Sequence, residues 1–185
     1  MFKTKKYLTL IMVLLFVLMT LPPGEVTAAS AVSRIGGADR YQTAVNISKQ
    51  GWSYSDLVVL ARGDDYADAL AGVPLASWYN APILLTRGNV LPDSTLNEIE
   101  RLGAGKVIIL GGSKAVSAEV ENKLKGKSLE VERIGGENRF ATAAGIAKKL
   151  GMLDVVFLAY GYNFPDALAA ASYAGARGYP ILLTD

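Results

Sequence analysis

Two arginines and a threonine recur together at one spacing. They appear in Arg34-Ile-Gly-Gly-Ala-Asp-Arg-Tyr-Gln-Thr43 and again in Arg133-Ile-Gly-Gly-Glu-Asn-Arg-Phe-Ala-Thr142. Paired guanidiniums beside a Gly-Gly step and a helix-capping Asp or Asn suit the gripping of an anion. The planar fork matches phosphate or carboxylate, and helix N-termini add backbone donors. Arg34, Arg40, Arg133 and Arg139 are therefore the candidate ligand contacts, Arg40 and Arg139 foremost. Asp68 and Asp166, each opening an Asp-Ala-Leu segment, together with Thr43 and Thr142, would position them. The same residues admit a structural reading, in which Asp68 and Arg40 form a partly buried ion pair that fixes how elements or units dock.

Other chemistries are closed by composition. The chain has no histidine and no cysteine. That removes Ser-His-Asp triads, His- or Cys-ligated zinc, disulfides and the usual general base. No catalytic residue, metal site or cofactor is expected. Gly103-Ala-Gly-Lys106 resembles part of a phosphate loop, but it precedes its strand and lacks the Gly-Lys-Ser/Thr ending. Asp64 and Asp65 are adjacent on one loop, so they cannot flank a glycosidic bond from both sides.

The elements that must position these residues also come twice. Asp68-Ala-Leu70 returns as Asp166-Ala-Leu168, and Pro82-Ile-Leu-Leu-Thr86 as Pro180-Ile-Leu-Leu-Thr184. Matched motifs in matched order at a period of about 99 residues mark a duplicated unit of small-domain size. Within each unit the pattern alternates. Asp39 should cap a helix ending near Gly51, and Leu57–Ala61 reads as a strand buried on both faces. An Ala-rich helix over 66–79 should kink at Pro74, where the second copy has Ser172. Pro82–Thr86 is a strand, Asp93 opens a helix ended by Gly103, and Lys106–Leu110 is a strand. Ser117 should cap a helix to Gly126, and 129–134 is the strand that begins the next unit. The fold class is α/β: tandem open parallel-sheet βαβ repeats, one complete and one truncated at Asp185. That truncation suggests a fragment of something longer, and with no Pro- or Ser-rich linker the units should pack closely.

Comparing the copies separates two sets of residues. Arg62, Asp64, Asp65 and Arg87 become Tyr160, Tyr162, Asn163 and Asp185, whereas Arg34, Arg40, Thr43 and Asp68 are retained. In an open parallel sheet ligands gather at the strands' carboxyl ends, which here present Gly36-Gly37 with Asp39 and Arg40, Arg62 with Asp64 and Asp65, Thr86-Arg87, and Gly112-Ser113-Lys114.

The amino end reads as a secretory signal peptide over residues 1–28: lysines to Lys6, an apolar run over 7–21, and a Val-x-Ala junction. It carries three of the 19 Lys+Arg and one of the 17 Asp+Glu, leaving 16 of each and a net charge of zero. The basic balance therefore lies in the leader, and nucleic acid is disfavoured as a partner.

With these motifs in hand, residues 33–185 resemble the cell-wall-binding repeat 2 family of Gram-positive bacteria. The boundaries would be 33–132 for the first repeat and 133–185 for a truncated second. The resemblance implies repeats that come in threes around a pseudo-threefold axis. It also implies a role in holding surface proteins, S-layer-associated proteins and N-acetylmuramoyl-L-alanine amidase autolysins among them, non-covalently on anionic wall polymers of teichoic-acid-like or other secondary type. The expected location is secreted, at the cell wall or surface. Two alternatives stand beside it: the anchoring part of an amidase whose catalytic domain lies elsewhere, and a surface-layer assembly module.

Overall fold

The computed structural model describes residues 32–151 and 154–185; the signal peptide expected over 1–28 lies outside them. The first helix, α1 (Arg40–Gly51), begins where Asp39 accepts from the Gln42 amide at 2.8 Å. Its counterpart α6 (Arg139–Leu150) begins where Asn138 accepts from the Ala141 amide at 2.9 Å. Both caps satisfy a donor that the helix itself cannot. Gly151, with φ of 96°, stops α6 as expected, whereas α1 runs through Gly51 and leaves the helix at an extended Trp52.

Strand β1 (Leu57–Arg62) is buried on both faces because helices cover both. Val58 and Leu60 meet Val45 of α1 and the apolar sides of α4 (Asp93–Arg101) and α5 (Ala118–Lys125). Val59 and Ala61 meet Leu75, Ala143 and Ile146 on the opposite face. The sheet runs β2 (Ile83–Thr86), β1, β3 (Lys106–Leu110), β4 (Glu130–Ile134), all parallel. Strand β4 opens the second copy in sequence, yet it bonds to β3 and completes the first copy's sheet. Ile134 and α6 accordingly share a core with β1 and the helices that follow it. The close packing expected of the units is thus an interlock, in which the second copy supplies an edge strand and a covering helix.

The Ala-rich segment after β1 is not one kinked helix. It is α2 (Ala67–Ala71) and α3 (Val73–Trp78), broken at Gly72. Pro74 falls in the first turn of α3, where its missing N–H costs nothing. A side chain at Gly72 would lie 2.2 Å from Leu110, so glycine lets the bend press against β3. The second copy has Ala170 and Ser172 instead and forms a single helix, α7 (Pro165–Arg177).

Strands β5 (Phe157–Tyr160) and β6 (Ile181–Thr184) form a second parallel sheet in the register of β1 and β2. Ala159, Ala167, Ala171 and Ile181 pack there against Leu70 and Val73.

Candidate functional site

The carboxyl edge of the first sheet carries a cleft of about 600 Å³. Strand β1 brings Arg62, the turn after β2 brings Arg87, the β3–α5 turn brings Lys114, and the first turn of α1 brings Arg40. Four cations face it against one carboxylate, Asp64. The three guanidiniums are held in place before any ligand arrives. Arg40 Nη1 donates to the Gly63 carbonyl at 2.7 Å. Arg62 is gripped bidentately by Asp64, with Nη2 to Oδ2 at 2.7 Å. That bond holds the Asp64 carboxyl below its ordinary range against the opposing effect of burial. Arg87 lies over the Tyr41 ring at 5.1 Å. Each partner fixes one edge or face of the guanidinium and leaves other donors directed at the cleft, so little side-chain entropy is left to lose on binding.

The retained motif residues perform one mechanical task in both copies. Arg139 Nη1 donates to the Gly161 carbonyl at 2.7 Å, as Arg40 does to Gly63. A side chain on either glycine would collide with the neighbouring ring, at 2.8 Å from Tyr41 or 2.7 Å from Phe140. Arginine, aromatic ring and glycine thus lock the start of α1 to the end of β1, and α6 to β5. Thr43 accepts from the Gly37 amide at 3.0 Å and donates to the Asp39 carbonyl at 2.9 Å; Thr142 donates to the Asn138 carbonyl at 3.2 Å.

Beyond that shared task the equivalents diverge. Arg139 also reaches Asp65 Oδ2 at 3.2 Å and lies between the Tyr66 and Tyr162 rings, at 5.7 and 5.5 Å. It therefore bridges the copies. Arg133 pairs with Glu121 at 2.6 Å and donates to the Gly111 carbonyl at 2.9 Å, tying β4 to α5. Arg34 and Asp166 are exposed. The ion pair anticipated between Asp68 and Arg40 is absent among the described contacts, since Asp68 faces Thr142 and Arg139 instead. Burial, reinforced by the charge of Asp65, pushes its carboxyl up to about 6, against the pull of Thr142 and Arg139. Among the described residues its Oδ1 has no hydrogen-bond partner, and its Oδ2 lies where a side chain on Gly111 would have to go.

Comparison with known proteins bears on what such a cleft is for. The cell wall binding domain 2 (CWB2) profile matches residues 34–121 and 133–185. The chain belongs to the cell wall binding domain 2 family. It is 40% identical over 158 residues to the N-acetylmuramoyl-L-alanine amidase LytC of Bacillus subtilis strain 168, covering 85% of this chain and 32% of that protein. It is 41% identical over 156 residues to the amidase enhancer of the same organism, covering 84% of this chain and 22% of that protein. Among solved structures, Cwp6 from Clostridium difficile superposes with a TM-score of 0.75 at 34% identity, over 92% of this chain and 31% of that one. The chain thus spans about a third or less of these relatives. Among the described residues no cluster of acidic side chains could hold a metal ion, and no helix is long and apolar enough to cross a membrane.

Within this CWB2 chain, retention between the copies marks the clamp residues, of which Arg40 also lines the cleft, and does not mark Arg62, Arg87 and Lys114 beside it. The signal for the latter was their place at strand ends, and Gly63 and Gly161 could have been found by their retention beside those ends.

Proposed function

We propose that this chain is a non-catalytic anchoring module that holds an exported protein on anionic cell-wall polymers of a Gram-positive bacterium. The observation that carries this reading is the cleft, in which four cations face a single carboxylate. Arg40, Arg62 and Arg87 are already oriented by their own partners. Each offers paired donors to a phosphate or carboxylate oxygen, and the exposed Lys114 adds a mobile point charge. Binding is weak per repeat, falls with salt and gains strength from tethered repeats acting together. Arg133 and Arg139 position elements, Asp68 and Thr142 hold the junction, and Arg34 and Asp166 remain exposed for contact with further repeats or polymer. Tyr66 and its equivalent Phe164 meet edge to face at 5.9 Å, which puts them near the axis relating the copies and supports a closed, pseudo-threefold arrangement.

The test is co-sedimentation of the chain with purified Gram-positive walls, before and after acid extraction of their anionic polymers, across a salt series. Binding lost on both extraction and high salt supports the anchor; binding that survives both overturns it. The likeness to LytC favours a second reading, the anchoring part of an amidase. Release of peptide from peptidoglycan by the longer protein, but not by these residues, would support that alternative.

A further inference from the structure

We propose that Tyr54, Asp56 and Tyr79, at the amino edge of the first sheet, form a site for a primary ammonium group carried by the wall. The wall as the source of that group rests on the anchoring reading; the site itself does not. A cleft of about 430 Å³ opens at this edge, where Leu57 begins β1, Lys106 begins β3 and Tyr79 and Asn80 follow α3. Every lining residue falls between 54 and 106, inside the first copy. The cleft lies at the opposite end of the strands from the arginine cleft, and its charge is of the opposite sign.

The cation that lines it, Lys106, is already neutralised. Its Nζ meets Glu130 at 2.7 Å and Glu132 at 2.9 Å, and these bonds hold its pKa above the ordinary lysine range. Glu132 also pairs with Lys149 at 2.7 Å. With Asp56, three carboxylates stand against two ammonium groups, so the cleft favours a further positive charge. Two tyrosine rings flank that charge, and both are braced. Tyr54 is 60% exposed and rests on Gly103, where a side chain would lie 3.2 Å from the ring. Its hydroxyl donates to Asp56 Oδ1, and among the described contacts Oδ2 stays open. Tyr79 is 40% exposed and is steadied by the residue after it, whose carbonyl accepts from Trp52 Nε1 at 2.7 Å. Aromatic faces attract cations, and an ammonium group has donors for a carboxylate beside them. Braced side chains lose little entropy on binding.

A metal ion is a poorer fit, because among the described residues no acidic cluster could hold one, and rings replace oxygen ligands on two sides of the cleft.

The experiment has two arms, each on the whole chain with folding checked by circular dichroism. In the first, propylammonium chloride is titrated against sodium chloride at equal ionic strength, and the tyrosine ring signals are followed by NMR. The parent should saturate with propylammonium and not respond to sodium. Tyr54→Leu with Tyr79→Leu, and separately Asp56→Asn, should each weaken binding about tenfold. Tyr54→Phe with Tyr79→Phe keeps the faces and should stay within about threefold of the parent, which guards against a folding artefact. No saturable response, or a leucine pair that binds like the parent, overturns the site. In the second arm the chain is co-sedimented with walls whose free amines are acetylated and whose anionic polymers are left in place. Acetylation makes the walls more negative, so the arginine cleft alone would hold them more tightly; the ammonium site predicts weaker binding instead. Acetylated walls that bind as well as untreated ones, or better, overturn the wall as the source. If acetylation weakens binding while Arg62→Ala with Arg87→Ala does not, the ammonium site stands and the anionic cleft fails.

Discussion

The two copies place the same decapeptide on the same βαβ scaffold and use it differently. In the first, Arg40 clamps the Gly63 carbonyl and then faces an open cleft with Arg62, Arg87 and Lys114. In the second, Arg139 makes the same clamp and is then enclosed by Asp65, Tyr66 and Tyr162. Retention in both copies matches the shared clamp, whereas Arg62 and Arg87, which line the first-copy cleft beside Arg40, are not retained.

The largest difference between the copies is expected from identical substitutions at equivalent glycines. A side chain on Gly135 would lie 2.4–2.6 Å from the backbone of Gly111 and Gly112, which cannot yield without moving the β3–α5 turn; one on Gly36 would meet nothing within 4 Å. Gly135→Ala should destabilise the fold by about 3 kcal/mol in urea denaturation, and Gly36→Ala should stay within about 0.5 kcal/mol. Equal effects would show that the interlock of β4 with the first sheet contributes little.

Recognition comes next. Arg62→Ala with Arg87→Ala should lower wall affinity roughly a hundredfold at low salt, the loss of two charge-assisted contacts at about 1.5 kcal/mol each, with little change in melting temperature. The clamp residues should divide in the opposite sense. Arg139→Ala gives up its bonds across the copies as well as the Gly161 carbonyl and should cost about 2 kcal/mol of stability. Arg40→Ala, at an exposed residue, should cost under about 1 kcal/mol and weaken wall binding instead.

The smallest effect is on pH. Asp68, raised to about 6 at the junction of the copies, binds its proton more tightly folded than unfolded. A carboxyl of that kind favours folding while protonated, so its contribution is present below the ordinary Asp range and is lost as pH rises through about 6. Allowing for its partial exposure, stability should fall by about 1 kcal/mol between roughly pH 4 and 6.5, and Asp68→Asn should flatten the profile. A parent profile that rises steadily over that interval would place the junction's electrostatics elsewhere.

Much of the architecture was legible in the residues. The alternation of helix and strand, the cap at Asp39 and the parallel pairing all follow from periodicity and local hydrogen bonding. What periodicity does not carry is which sheet a strand joins. The segment 129–134 begins the second copy in sequence, but only tertiary pairing puts β4 beside β3. Gly72 with Pro74 dictated a break rather than a bend because two helix-weakening residues fall within one turn. The partner of Asp68 was missed for the same reason as β4: its neighbours come from α6, a long way along the chain.

Whether the first-copy cleft grips an anionic wall polymer can be read from the salt dependence of wall binding in the parent and in Arg62→Ala with Arg87→Ala. Phosphate contacts that displace counterions give a steep fall in affinity with salt. The parent should show a steep slope and the variant a distinctly shallower one. Identical slopes from two folded proteins would contradict it and place the polymer elsewhere on the surface.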